Sequence, residues 1–557
     1  MIKKGILLIP VFFAVAALSC LAQSRREVPE WAHESVFYQV YPSSYKDANG
    51  DGMGDLQGIR SKLDYIQSLG VSAIWLNPTF CSAFEDGGYD VTDYYKIDPR
   101  FGTNDDLVEL VNDAHAHGLK LMLDLVIGHS SDKNPWFIAS ASGETNQRYS
   151  DYYIWAPEGA DVSGNSRMVA SKHPRKGYYQ RNFYEIQPAL NFGFANPDPN
   201  HPWEQAVDAP GPQAVRREMK NIIAFWMDKG VDGFRCDMAG SLVKNDPGQT
   251  ATKALWNEVR DWFDTKWPEG VLIAEWGTPA LEAGFHVCFN SATMSLTGRN
   301  DDNEPDVTPC FFHLDGDGEV KRFAESFPQQ LAEERKYGGI AAVCTSNHDG
   351  YRLNVKSRNT PEQLKVAMMF FMTLPSAPIL YYGEEIGLKT LLYAPVKEGS
   401  FDRHNRSSCR TPMQWDASAN AGFSTTSDAS KLYLPIDVDP DRPTVEKQDK
   451  DPNSLLNFTR GLIRLRKDNP AIGYRGDWEF LSPVDEPYPM IYSRSYGGER
   501  YIVVLNPRKK AAECTLSSIS RLDECIYGDA KAVKASKAKG GVKLKVAGTS
   551  CAIYKVD

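Results

Sequence analysis

An arginine and an aspartate lie two positions apart in the stretch GVDGFRCDM, which runs from Gly230 to Met238. The residues before them are β-branched and aromatic, as in a short buried strand, so Arg235 and Asp237 should share one face of that strand. A nearby cation favours the ionised form of a carboxyl group, and an ionised aspartate can act as a nucleophile. A buried salt bridge without a catalytic role is the alternative that this pair alone leaves open.

Further polar residues follow other buried stretches. Glu275 follows Leu-Ile-Ala and precedes Trp276, an apolar setting that raises the pKa of a carboxyl group and keeps a proton available. Three carboxylates at strand ends, together with two histidines, predict glycoside cleavage in which one carboxylate attacks and another donates a proton. The candidates at strand ends are Tyr89, Asp90, Asp124, His129, Arg235, Asp237, Glu275, His348 and Asp349.

The sequence that must position these residues alternates between strands and helices. Predicted strands cover 36–41, 71–76, 119–127, 231–234, 271–274, 341–345 and 379–382, and predicted helices cover 56–69, 105–117, 214–228, 252–263 and 455–466. About eight such units favour a (β/α)8 TIM barrel over an open sheet. A barrel brings the C-terminal ends of its strands to one mouth, where the candidate residues would meet.

Two segments interrupt or follow this pattern. Residues 129–189 are rich in Tyr, Trp, Gly and Ser and are too long for an ordinary connection, so they predict an inserted subdomain after strand three. Residues 474–557 contain short alternating strands, which predict a C-terminal antiparallel β-sandwich domain. The catalytic barrel would then occupy 23–128 and 190–470.

Composition excludes some functions. The net charge is −10 and charges of both signs are mixed along the 557 residues, which argues against a nucleic-acid partner. The 12 Trp, 26 Tyr and 25 Phe suit a site for sugar rings, although a large core also uses such residues. Cysteines show no paired spacing, so we expect no disulfide scaffold and at least one free thiol.

The N-terminus predicts export. Lys3 and Lys4 precede an apolar run over 5–18, and residues 1–22 have the features of a signal peptide that is removed. We expect a periplasmic protein without a membrane span after processing. A lipoprotein anchored through Cys20 is the alternative, although Ala17 and Leu18 fit a lipobox imperfectly.

The motifs together resemble a known family. DLVIGH (Asp124–His129), GFRCD (Gly233–Asp237), IAEW (Ile273–Trp276) and SNHD (Ser346–Asp349) are similar to the motifs of the α-amylase family of retaining glycosidases, glycoside hydrolase family 13. Within that family, VFYQVYP, GGYDVTDYYKIDPRFGT, QPALNF, YYGEEIGL and RTPMQWD resemble the oligo-1,6-glucosidase and α-glucosidase group.

This resemblance implies a role for each matching residue. Asp237 would be the nucleophile, Glu275 the general acid/base and Asp349 the transition-state stabiliser. The residues implied to hold the first sugar or to orient the nucleophile are Tyr89, Asp90, His129, Arg235, His348 and Arg352.

A Gly-rich acidic loop predicts a structural calcium ion. Oxygen atoms at alternate positions of DANGDGMGD would form the cage, and the loop is similar to one in the α-glucosidase group. It is not an EF-hand, because Gly58 stands where the bidentate Glu would fall. A solvated acidic turn and a magnesium site are the alternatives. The expected ligands are Asp47, Asn49, Asp51, the carbonyl of Met53, and Asp55.

Three positions depart from the family pattern. Gly128 stands where an asparagine is usual, Ala189 replaces an aspartate, and Met238 follows the nucleophile where a smaller residue linked to bond preference is usual. Met238 would either shape linkage choice or fill the core behind strand four.

Fold and chemistry are expected to survive these changes, whereas the substrate stays open. We expect an exo-acting α-glucosidase that takes disaccharides or short oligosaccharides. The alternatives are a transglycosylase or isomerase of the trehalose synthase type, an endo-acting α-amylase, and a binding protein without activity. The last would require loss of carboxylates that this chain retains.

Overall fold

A closed barrel of eight parallel strands forms the centre of the computed structural model, which describes residues 27–143, 148–290, 293, 311–312, 320–397, 405–486 and 488–556. Barrel strands that follow one another along the chain are neighbours in the barrel. The first also pairs with the last, with Phe37 opposite Ile379. The predicted (β/α)8 barrel is confirmed. The barrel strands are Phe37–Val40, Ala73–Leu76, Lys120–Leu125, Gly233–Cys236, Val271–Ala274, Val287–Phe289, Ile340–Cys344 and Ala377–Tyr381.

Helices connect the barrel strands, and their burial ranges from one face to almost every residue, as in Pro361–Thr373. The helix Asn104–Ala116 begins at Thr103, whose side chain forms a capping box with Asp106, and it buries residues spaced three or four apart. The helices are Glu30–His33, Leu56–Arg60, Leu63–Leu69, Asn104–Ala116, Pro135–Ser140, Pro210–Met227, Thr250–Lys266, Pro279–Glu282, Val320–Tyr337, Pro361–Thr373, Val445–Asp449 and Leu455–Asp468.

Two elements differ from the sequence-based expectation. The predicted helix 56–69 is two helices, because the Ser61 hydroxyl donates to the Gly58 carbonyl and ends the first helix there. The sixth strand, Val287–Phe289, was not located from sequence. It has only three residues and shows too little periodicity to distinguish it from a loop.

Two further units accompany the barrel. Within 129–189, the strands Trp155–Ala156, Met168–Ala170 and Tyr178–Gln180 form a small antiparallel sheet. At the C-terminus, five strands face a second sheet of three, and Ile502 and Val504 of one pack with Leu544 of the other. The C-terminal strands are Asp477–Phe480, Met490–Tyr496, Glu499–Asn506, Ala512–Leu516, Glu524–Gly528, Val533–Ala538, Gly541–Val546 and Ser550–Val556.

The described part of the chain contains eight cysteines. Cys236 lies buried beside Asp237 as a free thiol, and at least one free thiol was expected. The predicted signal peptide, 1–22, lies outside the described residues. Among the residues described, no helix combines the length and apolarity needed to cross a bilayer.

Glu334 is a buried acid on the helix Val320–Tyr337 and is not one of the candidate catalytic residues. Burial raises the pKa of its carboxyl group to about 8, and the amide of Ala341 opposes this shift only in part. The folded protein therefore holds this group protonated at neutral pH, whereas the unfolded chain ionises it near its usual value of 4.5.

Glu334→Gln should make the protein less sensitive to rising pH. Between the unfolded and folded pKa values, the wild type loses stability as pH rises, because only the unfolded state releases the proton. The variant should gain roughly 1–3 kcal/mol over wild type at pH 8 compared with pH 5. Urea unfolding at both pH values measures this difference, with Glu333→Gln as the matched control. An equal gain at both pH values would contradict the assignment.

Candidate active site

One buried guanidinium organises the mouth of the barrel. Arg235 Nη1 donates to Asp124 Oδ1 and to Asp237 Oδ1, each at 2.8 Å, and Nη2 lies 2.8 Å from Glu275 Oε1. The cation also lies 5.3 Å from the centre of the Trp75 ring. Three acids from three adjacent strands are thus held by one cation.

The strand pairing explains how these side chains meet. Asp124 and Ile273 both lie opposite Arg235 in the neighbouring strands. Asp237 and Glu275 follow their strands directly, and their amides donate to Leu125 and Cys236, which continues the ladder past the strand ends. Gly233 permits this close pairing, because a Cβ there would lie 1.9 Å from the Val271 carbonyl oxygen.

The electrostatics separate the two catalytic acids. Burial raises the pKa of Asp237 to about 6 and that of Glu275 to about 7, while the charge of Arg235 opposes both shifts. The charge of one cation cannot fully compensate for the desolvation of several carboxylates. The group of acids therefore retains a proton. At neutral pH Asp237 is mostly ionised and Glu275 keeps a share of its protons, as a nucleophile and an acid require.

Asp349 stays ionised for a different reason. Its Oδ1 lies 3.4 Å from Arg406 and 3.3 Å from Arg410, and its Oδ2 lies 3.2 Å from His348 Nε2. Burial opposes its charge, but these neighbours outweigh burial and hold the pKa of the carboxyl well below its usual range. A fixed negative charge therefore faces the cavity.

His348 is held as a neutral ring with its proton on Nε2. Gln39 and Asn77 both donate amide hydrogens to Nδ1, at 2.9 and 3.1 Å, so Nδ1 is the acceptor. Nε2 lies 2.7 Å from the Tyr89 hydroxyl, which itself donates to Asp124 at 2.9 Å. Burial lowers the pKa of His348 well below its usual value, consistent with a neutral donor.

His129 is positioned through a residue of the inserted segment. Its Nε2 donates to the Tyr89 carbonyl at 2.8 Å, so its Nδ1 accepts from the Asn182 amide at 3.2 Å. Asn182 Oδ1 in turn accepts from Lys244 at 3.1 Å. A Cβ on Gly128 would lie 2.8 Å from Asn182 Nδ2, so the missing side chain at 128 makes room for this amide.

A cavity of about 360 Å³ opens over these groups. It brings together six predicted residues: Tyr89, His129, Asp237, Glu275, His348 and Asp349. Met238 also lines it, with its amide donating to Glu275 at 2.9 Å, so this side chain does not fill the core behind strand four. The other lining residues are Asp86, Phe183, Gln187, Gly240, Ser241, Trp276 and Arg406.

Three residues of the predicted substrate-binding set do not line this cavity: Arg235, which holds the acids as described above, and the two residues Asp90 and Arg352. Asp90 is fully buried, and its oxygens accept from the Ser82 hydroxyl and from the amides of residues 85 and 86. Arg352 is fully buried against the rings of two tyrosines and donates to the Tyr382 carbonyl at 2.6 Å. Their structural role is to hold the loops that surround the site.

Two cavity residues were missed from the sequence. Asp86 accepts from Gln187 at 2.6 Å and lies 3.7 Å from Arg406, and burial raises its pKa to about 7. Asp86 lies three residues before Tyr89, in a turn that the Tyr89 amide closes on the Asp86 carbonyl. The available signals were this spacing and the proximity of Arg406 to the RTPMQWD motif.

The predicted calcium ligands form a tight loop. Asp47 accepts from the amides of Gly50 and Gly52, and Asp55 accepts from those of Ala48 and Gly58. Carboxylate and amide oxygens are suitable donors for calcium. In the described part of the chain, however, no three His, Cys, Asp or Glu side chains are grouped to hold a metal. The arrangement of this loop therefore does not itself support the calcium prediction, which stays a prediction.

The barrel and its paired carboxylates define a glycosidase. The pattern described as alpha amylase, catalytic domain, matches residues 39–475. The chain therefore belongs to the α-amylase family, glycoside hydrolase family 13.

Several relatives cover most of the chain. An oligo-1,6-glucosidase of Heyndrickxia coagulans is 30% identical, over 86% of this chain and 92% of its own. A trehalose synthase/amylase of Mycobacterium tuberculosis is 31% identical, over 85% and 80%. The crystal structure of isomaltulose synthase from Erwinia rhapontici NX5 has a TM-score of 0.78 at 27% identity and covers 95% of this chain and 99% of that one.

The two acids should give a bell-shaped pH dependence of kcat/KM. Activity should fall as pH drops through about 6, when Asp237 gains a proton, and as pH rises through about 7, when Glu275 loses one. In Glu275→Gln, assayed with a nitrophenyl glucoside that needs no proton to leave, the alkaline limb should vanish. Glu282→Gln, an exposed acid after the same strand, is the control and should keep both limbs. A persisting alkaline limb in Glu275→Gln would assign it to another group.

Proposed function

We propose that the protein is a retaining, exo-acting α-glucosidase that releases terminal glucose from disaccharides and short α-glucans. The observation that carries this proposal is the pair of Asp86 and Arg406 beside Asp349 in the cavity. Charged side chains packed there offer donors and acceptors to the hydroxyls of one terminal ring. The same side chains, already paired with one another, would obstruct a chain that continued through this place.

The chemistry follows from the protonation states. Ionised Asp237 attacks the anomeric carbon while Glu275 protonates the leaving oxygen, and a glycosyl-enzyme forms. Glu275, now ionised, then accepts a proton from the water that releases the sugar. Asp349 and neutral His348 bond sugar hydroxyls, and the charge of Asp349 favours the oxocarbenium-like transition state.

Two named relatives define the main alternative. Trehalose synthase and isomaltulose synthase are names of enzymes that form sugar–sugar bonds, and the same covalent intermediate serves transfer to a sugar acceptor. Phe183, Met238 and Trp276 give the cavity apolar walls, which would limit entry of water. Transfer would appear as a disaccharide product in place of free glucose.

A substrate panel tests the proposal. Maltose, isomaltose, trehalose, sucrose and soluble starch are compared at equal concentration, and products are resolved by anomeric form. We expect α-glucose as the first product and little loss of starch viscosity. Asp237→Asn should lower kcat by at least about a thousandfold without unfolding. A rapid fall in viscosity with little glucose, or β-glucose as first product, would contradict the proposal.

Met238→Val belongs in the same panel. Because Met238 lines the cavity next to Glu275, replacing its thioether should change the ratio of α-1,4 to α-1,6 rates, by roughly tenfold or less. Leu242→Val, a buried residue of the same loop that is not among the described lining residues, is the control.

A structural calcium ion in the loop of Asp47, Asn49, Asp51, Met53 and Asp55 remains part of the proposal, as does export to the periplasm. An ion that binds only the folded state stabilises it by mass action, so a chelator should lower the melting temperature. Asp51→Ala should remove that sensitivity, whereas Asp64→Ala, an exposed control, should keep it. An unchanged melting temperature with chelator would rule out a stabilising ion there.

A further inference from the structure

A second cavity, of about 520 Å³, lies beside the catalytic one. Ser241 lines both cavities, and the second continues along Val243, Lys244 and Asn245. These residues belong to the loop that follows the nucleophile strand. The two spaces are therefore neighbours across a single turn of chain.

An irregular segment, 193–209, forms another wall of this cavity and is held against that loop. The Lys244 amide donates to the Gly193 carbonyl and the Ala195 amide donates to the Lys244 carbonyl, each at 2.9 Å. Asn196 Nδ2 also donates to the Asn245 carbonyl at 3.0 Å. The wall is therefore fixed by backbone contacts to the loop that carries Met238 and Ser241.

The second cavity has an aromatic platform. Trp203 is half-buried and stacks on His201, with ring centres 4.4 Å apart and planes 23° apart. His201 Nδ1 lies 3.0 Å from Glu204 Oε1, and this contact holds the His201 ring in place. Both rings line the cavity, and a flat ring fixed in this way can stack on the apolar face of a sugar.

The charged residues that line the second cavity favour one class of ligand over others. Arg167 and Lys244 supply donors, whereas Asp161, Asp198 and Glu204 supply acceptors. An anion would meet three carboxylates, and a cation would meet two basic groups. A neutral polyol can use both kinds of partner together with the ring.

The chemistry of Glu275 indicates which end of the substrate lies here. The acid must reach the leaving oxygen, and its Oε2 accepts from the Met238 amide at the start of the loop that runs to Ser241. That loop therefore borders the leaving group. We infer that the second cavity binds a further sugar ring of the leaving group, so that chains of three or more units gain a contact at Trp203.

This inference rests on the proposed function. Trp203→Ala should lower the ratio of kcat/KM for a trisaccharide to that for the disaccharide of the same linkage by roughly threefold to tenfold. Trp203→Phe should largely restore the ratio, and rates with nitrophenyl glucoside should not change. Trp262→Ala, a half-buried tryptophan on the helix Thr250–Lys266, is the matched control.

The outcomes distinguish an error in the inferred subsite from an error in the proposed function. If wild type cleaves both sugars and Trp203→Ala leaves the ratio unchanged, the subsite is wrong and the proposed function stands. If wild type cleaves no α-glucoside, both fail. A crystal structure of Glu275→Gln with the trisaccharide gives a test that does not depend on folding of the Trp203 variants. The third ring should lie on Trp203, and a third ring placed elsewhere would overturn the inference.

Discussion

The buried guanidinium of Arg235 is the contact on which the rest of the site depends. It holds acids from strands three, four and five, and the strand register places all of them within hydrogen-bonding distance. Without this cation, two buried carboxylates and the half-buried Glu275 would face one another, and their protonation would no longer separate into an ionised aspartate and a protonated glutamate. Barrel closure and catalytic chemistry therefore share one requirement, the alignment of three short strands.

A second level of organisation lies outside the barrel. The inserted segment reaches His129 through Asn182, and the segment 193–209 attaches to the loop after strand four. The candidate catalytic acids come from strand ends, whereas Phe183 and Gln187 of the cavity lining come from the inserted segment. The acids and part of the cavity wall are thus carried by different parts of the chain, and the names of relatives include both glucosidases and synthases.

The sequence predicted the barrel and brought Asp237, Glu275 and Asp349 to one mouth, because strand ends in a barrel have a known location. The prediction was less accurate for residues in loops, where the sequence does not indicate which way a side chain points. Asp90 was predicted and Asp86 was not considered, yet Asp90 accepts hydrogen bonds that close its own turn, whereas Asp86 lines the cavity. Arg352 was predicted and Arg406 was not considered, yet the ring contacts of Arg352 hold it in the core. Neither choice follows from periodicity, since a turn sets no regular alternation of faces.

The space above Gly128 has a consequence for exchanging parts between members of the family. In this chain Gly128 has no side chain and the amide that fills the space comes from Asn182. The residues at these two positions are therefore sterically matched. A transplanted inserted segment that lacks an amide at the position of Asn182 would leave this gap unfilled. His129 would then lose the hydrogen-bond donor to its Nδ1. The reverse transplant would press two amides into the volume of one, so the barrel and its insertion can be recombined only together with this pair.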